Sequence, residues 1–276
     1  MNHFFIGCSF LALLHKNFPT KQAMKCFEGI GQPAITFLWG TFGTKKSNLK
    51  PFFEMNKDKP HLVQVYLTNG VCIRKRNCKR GEVCRKDTSS KWNRKLRKKN
   101  LILKLKLKAR VRSVKKTLEK HGNENSRFVL VPQLEDNLTN GAAREFIKII
   151  REVWPYEVVR NPVGNNPYKH LSGADALELH HINAPLGGTI LYASNDGEDI
   201  HFNHRDATLL PSINSKSVRG YLSRAKSSGV RGIFLWAGLW QGLRGDSGGA
   251  PPPRRRNCEV PSLDTQAINI WLREVQ

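Results

Sequence analysis

Phe128–Val131 is a continuous apolar run that stops abruptly at Pro132, Gln133, Glu135 and Asp136. Directly after it, Ala142, Phe146, Ile149, Ile150 and Val153 recur across Asn140–Val153 at the spacing of one buried helix face. A short strand that runs out into carboxylates and turns into an amphipathic helix is one βα unit. The same pattern recurs along the chain. Ala34–Gly40 and His61–Leu67 read as buried strands, as do Tyr156–Arg160, Ala174–Leu179, Thr189–Ala193 and Gly232–Gly238. Phe4–Phe10 supplies an eighth. Between them, Lys21–Ile30, Leu49–Met55, Ser89–Lys99, Ser215–Ala225 and Leu263–Val275 read as helices. Most of the strands are short and apolar, without the alternation of a half-exposed sheet, which predicts parallel strands covered on both faces. Eight of them predict an α/β fold of the (β/α)8 TIM-like barrel type.

One stretch breaks the pattern. Leu101–Arg112 alternates apolar and basic residues, the period of a strand with one wet face, while the helical propensity around it pulls the other way. Strand and helix both stay open there. This stretch lies in the most basic part of the chain. Between Arg74 and Lys120 there are 21 Lys or Arg against Glu82, Asp87 and Glu119, so +18 of the formal +24 falls on this segment. Without it, the protein is only mildly basic. The chain therefore reads as an N-terminal segment, 1–33, and one barrel domain, 34–276, with 74–120 a basic insertion between early βα units. Removal of Lys86–Lys116 is expected to leave a folded core, because that much charge is not buried.

The length of 276 residues suits a single barrel of about 250 residues. Compartment stays open. Phe4–Leu14 has the length of a signal-peptide apolar region, yet Met1, Asn2 and His3 bring no Lys or Arg before it. The protein is exported if Met1–Leu14 is a signal peptide and cytoplasmic if that run is a strand. The run is too short to span a bilayer, and no other segment is a transmembrane candidate. Cys72, Cys78 and Cys84 are evenly spaced with five residues between them, wider than the two to four usual in zinc sites. In an exported protein Cys72 pairs with Cys78 or Cys84; in a cytosol all three stay free.

The polar groups gather where a barrel puts its chemistry, at the carboxyl ends of the strands. Glu135 and Asp136 end one strand and Asn161 follows another. Glu178 ends a third, next to His180 and His181. Asn195, Asp196, Glu198 and Asp199 follow a fourth, and Trp236, Trp240 and Gln241 the last; Trp39 ends the first clear strand. Carboxylates ringed by tryptophans suit sugar chemistry. One carboxylic acid protonates the glycosidic oxygen, a second acts as nucleophile or base, and aromatic faces stack on sugar rings. In this layout, from about Ala34 to Val275, the chain resembles the barrel-type glycoside hydrolases. The resemblance implies a catalytic carboxylate at a strand end; the strand ends here offer Glu135, Glu178, Asp196 and Glu198, with substrate contacts expected from Trp39, Asn161, Trp236, Trp240 and Gln241. Glu135 is the first choice for the acid, and Asp136 is expected to cap the following helix. The plain alternative is that these acids serve only the dipoles of the helices that follow.

A second constellation competes. His180, His181, Asn195 and His204 resemble the pattern of the ββα-metal nucleases. The resemblance implies His180 and His204 as metal ligands, with His201 close enough to join them, His181 as the base and Asn195 fixing the loop. The basic segment would then contact phosphates. This reading needs Ile190–Ala193 to be the second strand of a hairpin. The carbohydrate reading takes no cofactor and no metal. Its partner is a carbohydrate, neutral or anionic, and nucleic acid is the alternative partner for 74–120. Leu103–Lys108 also has the make-up of a short cationic membrane-binding element.

Overall fold

The computed structural model describes residues 5–9, 28–39, 49–69, 71–74, 84–87, 89–98, 100–134, 136–162, 171–179, 190–195 and 232–235. Ten strands are among them. They are β1 (Phe5–Ser9), β2 (Pro33–Leu38), β3 (His61–Asn69), β4 (Val71–Arg74), β5 (Cys84–Asp87), β6 (Ser126–Leu134), β7 (Glu157–Arg160), β8 (Ala176–Leu179), β9 (Ile190–Asn195) and β10 (Gly232–Leu235). Eight close into a barrel in the order β1-β10-β9-β8-β7-β6-β3-β2. Every pair around it is parallel. The fold is therefore the predicted (β/α)8 barrel. The N-terminal apolar run supplies its first strand, with Ile6 level with Pro33 on one side and Ile233 on the other. The predicted helices at Lys21–Ile30, Ser215–Ala225 and Leu263–Val275 lie wholly or mostly outside the described residues.

Alternation along each strand sorts the side chains. Phe5, Ala34, Leu38, Leu62, Tyr66, Val129, Val131, Val159 and Ala176 form one buried cluster, the barrel interior. The residues between them, including Ile35, Phe37, Val63, Val65, Leu130 and Val158, are fully buried on the other face, under the helices. Double coverage is why these strands read as unbroken apolar runs. Burying a large aliphatic or aromatic side chain in such layers contributes about 1.5–3 kcal/mol.

Four helices are described: α1 (Lys50–Asn56), α2 (Ser89–Arg97), α3 (Leu101–His121) and α4 (Asn140–Arg151). Helix α4 turns Ala142, Phe146, Ile149 and Ile150 inward, as its periodicity predicted. Its N-cap is Thr139, whose hydroxyl accepts from the Ala142 amide at 3.4 Å. The expectation that Asp136 caps this helix is thus corrected. Asp136 is buried in an ion pair with Arg160 instead, Nε to Oδ2 at 2.9 Å and Nη2 to Oδ1 at 3.0 Å.

Leu101–Arg112, left open by the sequence, is helical. Asn100 caps the start, its side chain accepting from the Leu103 amide at 2.9 Å. Leu107, Val111, Val114 and Leu118 are buried, and their 4-3-4 spacing is one face of a helix. Lys104 and Lys108 both reach Glu152, just past α4. Their hydrogen bonds, that of Lys104 first, draw its carboxyl down to about 2. Helix α3 is therefore the crossover between β3 and β6 and part of the barrel wall. That corrects the expectation that Lys86–Lys116 can be deleted, since the deletion would remove Leu107, Val111 and Val114 from the core. What is added to the barrel is the antiparallel pair β4–β5 and helix α2. In that pair Cys72 is level with Lys86 and Cys84 with Arg74, so these two cysteines do not face each other across the ladder.

Candidate functional site

Strand β3 carries Leu62, Gln64, Tyr66 and Thr68 on its interior-facing positions, between Val63, Val65 and Leu67. Leu62 is apolar filling, yet Gln64 puts an amide, and Tyr66 a phenol, inside the barrel. Across from them, β8 places Glu178 in the interior. Glu178 has no exposed surface, and neither does Gln64. The Tyr66 hydroxyl donates to Glu178 Oε1 at 2.7 Å, and Gln64 Nε2 donates to Oε2 at 2.8 Å. Each carboxylate oxygen thus receives its own donor. Thr36 of β2 closes the group, its hydroxyl 3.5 Å from Gln64 Nε2.

The electrostatics follow from burial. A charge inside a protein is tolerated only where hydrogen bonds replace water. Burial first, then the negative charge of Glu178 and the hydrogen bond to it, push the Tyr66 phenol well above its usual range. Tyr66 therefore stays protonated at any physiological pH and serves as a fixed donor. Gln64 Oε1 is a buried acceptor with no hydrogen-bond partner among the described residues. A group left so costs about 1–3 kcal/mol.

Asn161 follows β7 and is fully buried. Its Nδ2 lies 3.5 Å from the Glu178 carbonyl, so two of the residues singled out in the sequence do meet. Its own carbonyl accepts from the Asp136 amide at 2.7 Å, and Asp136 bridges to Pro162 in parallel. Beside this joint, Arg160 donates to Asp136, to Asn140 Oδ1 at 3.0 Å, to Ser172 Oγ at 3.1 Å and to the Leu138 carbonyl at 2.9 Å. This buried network fixes the ends of β6 and β7 against each other.

Trp39 is 5% exposed. It packs at 6.3 Å from Phe37, one of the helix-side residues, and Arg110 of α3 donates to its carbonyl. It does not join the Glu178 group. Glu135, Asp196, Glu198, Trp236, Trp240 and Gln241 lie outside the described residues, as do His180, His181, His201 and His204. Asn195 is described in its backbone only, as the last residue of β9. That strand pairs in parallel with β8 and β10. The hairpin that the nuclease arrangement requires at Ile190–Ala193 is therefore not formed, and that reading is corrected. Among the described residues no group of three or more His, Cys, Asp or Glu is placed to hold a metal ion. No described helix is long and apolar enough to cross a membrane.

Gln64 and Tyr66 were missed by sequence reasoning, which took HLVQVYL as one more apolar strand. The signal was there. Two polar side chains two residues apart in a doubly covered strand share a face, and in a closed barrel one of the two faces is the interior.

No protein-family model matches the chain, and no curated protein sequence is similar to it. Solved structures are similar in fold. A GH113 beta-1,4-mannanase matches over 99% of this chain and 98% of its own, at 13% identity and a TM-score of 0.53. An L-ribulose 3-epimerase matches over 98% and 95%, at 10% identity and a TM-score of 0.49. N-acetylneuraminate lyase from Mycoplasma synoviae matches over 99% and 98%, at 7% identity and a TM-score of 0.45. At 13% identity the likeness to the mannanase is one of fold.

Proposed function

We propose that the protein is a carbohydrate-active barrel of the glycoside hydrolase type, with Glu178 as a catalytic carboxylate. The observation that carries this reading is the buried Glu178, held by one donor on each oxygen inside a (β/α)8 barrel. A carboxyl group so held is aimed, as a nucleophile, or a base that activates water, must be at an oxocarbenium-like centre. The fold likeness to a barrel named as a beta-1,4-mannanase is in keeping with sugar chemistry.

On this reading Tyr66 and Gln64 are positioning residues. Gln64 Oε1, a buried acceptor with no hydrogen-bond partner among the described residues, suits a sugar hydroxyl. The proton donor to the leaving oxygen is a second carboxylic acid from the ends of neighbouring strands, drawn from Glu135, Asp196 and Glu198. A separation of ~5–5.5 Å from Glu178 makes the reaction retaining, and ~6.5–9.5 Å makes it inverting. Trp236, Trp240 and Gln241 supply sugar contacts, with Asn161 holding the backbone at Glu178.

The test is release of reducing ends from a panel of polysaccharides and oligosaccharides by the full chain. Glu178→Gln keeps the shape of the side chain and is expected to lower kcat on the order of 10^3-fold or more. Tyr66→Phe removes one charge-assisted hydrogen bond worth about 1.5–3 kcal/mol, and is expected to lower kcat about 10- to 100-fold. Both variants should unfold cooperatively near the wild-type temperature. Full activity in a folded Glu178→Gln protein would overturn the proposal.

A further inference from the structure

In a parallel barrel every strand ends on the same side, and the loops after the strands build the ligand-binding face. The chain leaves β3 on that side and goes straight into β4–β5 and α2. Helix α2 is fixed there. Asn93 Nδ2 donates to the Asn137 carbonyl at 3.3 Å, and Asn93 Oδ1 accepts from the Thr139 amide at 2.9 Å. Both partners belong to the loop after β6, the loop that carries Glu135 and Asp136. Trp92 stacks on Phe146 of α4 at 5.5 Å and 13°, and Leu96 is buried. These three residues form the docked side of α2. Lys91, Arg94, Lys95 and Lys98 are all exposed, and none has a carboxylate partner among the described residues.

A surface helix that needed charge only for solubility would carry both signs, and its residues would pair along the helix. Helix α2 contains no acidic residue at all. Exposed cations held on a docked helix raise the local concentration of an anionic ligand. We infer that α2 forms a basic rim on the ligand face of the barrel, and that it binds an acidic polysaccharide, one bearing uronate or sulfate groups. The inference rests on the carbohydrate reading of Glu178 and deepens it by naming the substrate class. A polyanionic chain laid along the rim would deliver one of its sugars to the barrel interior. Neutral glycans would gain nothing from the rim.

The experiment compares the full chain with the triple variant Arg94→Gln/Lys95→Gln/Lys98→Gln, which alters only exposed side chains and spares Trp92, Asn93 and Leu96. The probes are polygalacturonate, heparin, a neutral mannan and a double-stranded DNA oligomer, each at low and high salt. The wild type is expected to bind at least one acidic polysaccharide about tenfold or more tighter than mannan, with the preference fading as salt rises. The variant should lose most of that preference and keep its thermal unfolding. Equal binding of the acidic probes by variant and wild type would overturn the inference. So would tighter binding of DNA than of either acidic polysaccharide, lost in the same variant. Glu178→Gln separates the two claims. If it turns over an acidic polysaccharide normally while the triple variant fails to bind it, the rim stands and the site reading falls. If a neutral glycan is cleaved through Glu178 and no acidic one is bound, the site reading stands and the rim falls.

Discussion

His61 opens β3 at the end of the barrel opposite the ligand face, buried between the rings of Phe52 and Phe53 at 5.8 and 5.7 Å. Its Nδ1 lies 3.0 Å from the Lys59 carbonyl and its Nε2 2.8 Å from the Ser126 hydroxyl. Burial, more than the opposing backbone contacts, lowers its pKa below 6.5. As pH falls, the unfolded chain takes up this proton before the folded one does. The stabilisation is therefore complete above about 6.5 and is lost as pH drops through and below that value. His121, stacked on Phe53, is shifted the same way, again chiefly by burial. The melting temperature is expected to decline between pH 7.5 and 5.5, and His61→Asn should flatten part of that decline. An identical slope in the variant would contradict the assignment. At this scale the strand-end positions of Glu178 and Asn161 were legible, because a polar residue at the end of an apolar run stands out. Gln64 and Tyr66 were not, because both faces of their strand are buried and the polar positions sit inside the run. The true role of Asp136 also escaped, since its partner Arg160 lies on the next strand, 24 residues away.

Helix α3 shows why an element can be ambiguous in sequence and settled in structure. The alternation around Leu103–Lys108 has the period of a strand, and the decision for a helix comes from beyond it, at Val111, Val114 and Leu118. The helix consequently leaves Leu101, Ile102 and Leu105 exposed at 67%, 66% and 57%. Leu101 and Leu105 read as part of a strand's dry face, and with Ile102 they are the exposed large apolar residues among those described. Two opposite outcomes follow. Leu118→Ala opens a cavity under a fully buried position and should cost about 2–5 kcal/mol. The combined change Leu101→Gln/Ile102→Gln/Leu105→Gln touches no core and should alter stability by no more than about 0.5 kcal/mol per site. It should also reduce self-association, since contiguous exposed apolar surface promotes it. Chemical denaturation and light scattering check both. Equal destabilisation by the two sets would contradict the helix placement.

At the scale of the molecule the barrel was legible, because eight short apolar runs separated by turns and helical periods leave few other solutions. The boundary of the insertion was less so. Net charge marked 74–120 as one block, whereas burial divides it into an added hairpin and helix α2, and a crossover helix that belongs to the barrel wall. Charge reports what faces solvent, and α3 exposes Lys106, Arg112, Lys116 and Lys120 while Lys104, Lys108 and Arg110 flank the face of Leu107, Val111, Val114 and Leu118. The central claim is that the barrel interior at Glu178 receives a sugar. Its most direct test is a crystal structure of Glu178→Gln with an oligosaccharide bound. The account predicts a sugar ring inside the barrel mouth, its anomeric carbon ~3–3.5 Å from the side-chain oxygen at position 178, in place for attack by a carboxylate or an activated water. An oligosaccharide bound only on the outer surface, with the side chains of Gln64 and Tyr66 still sealed against position 178, would contradict it.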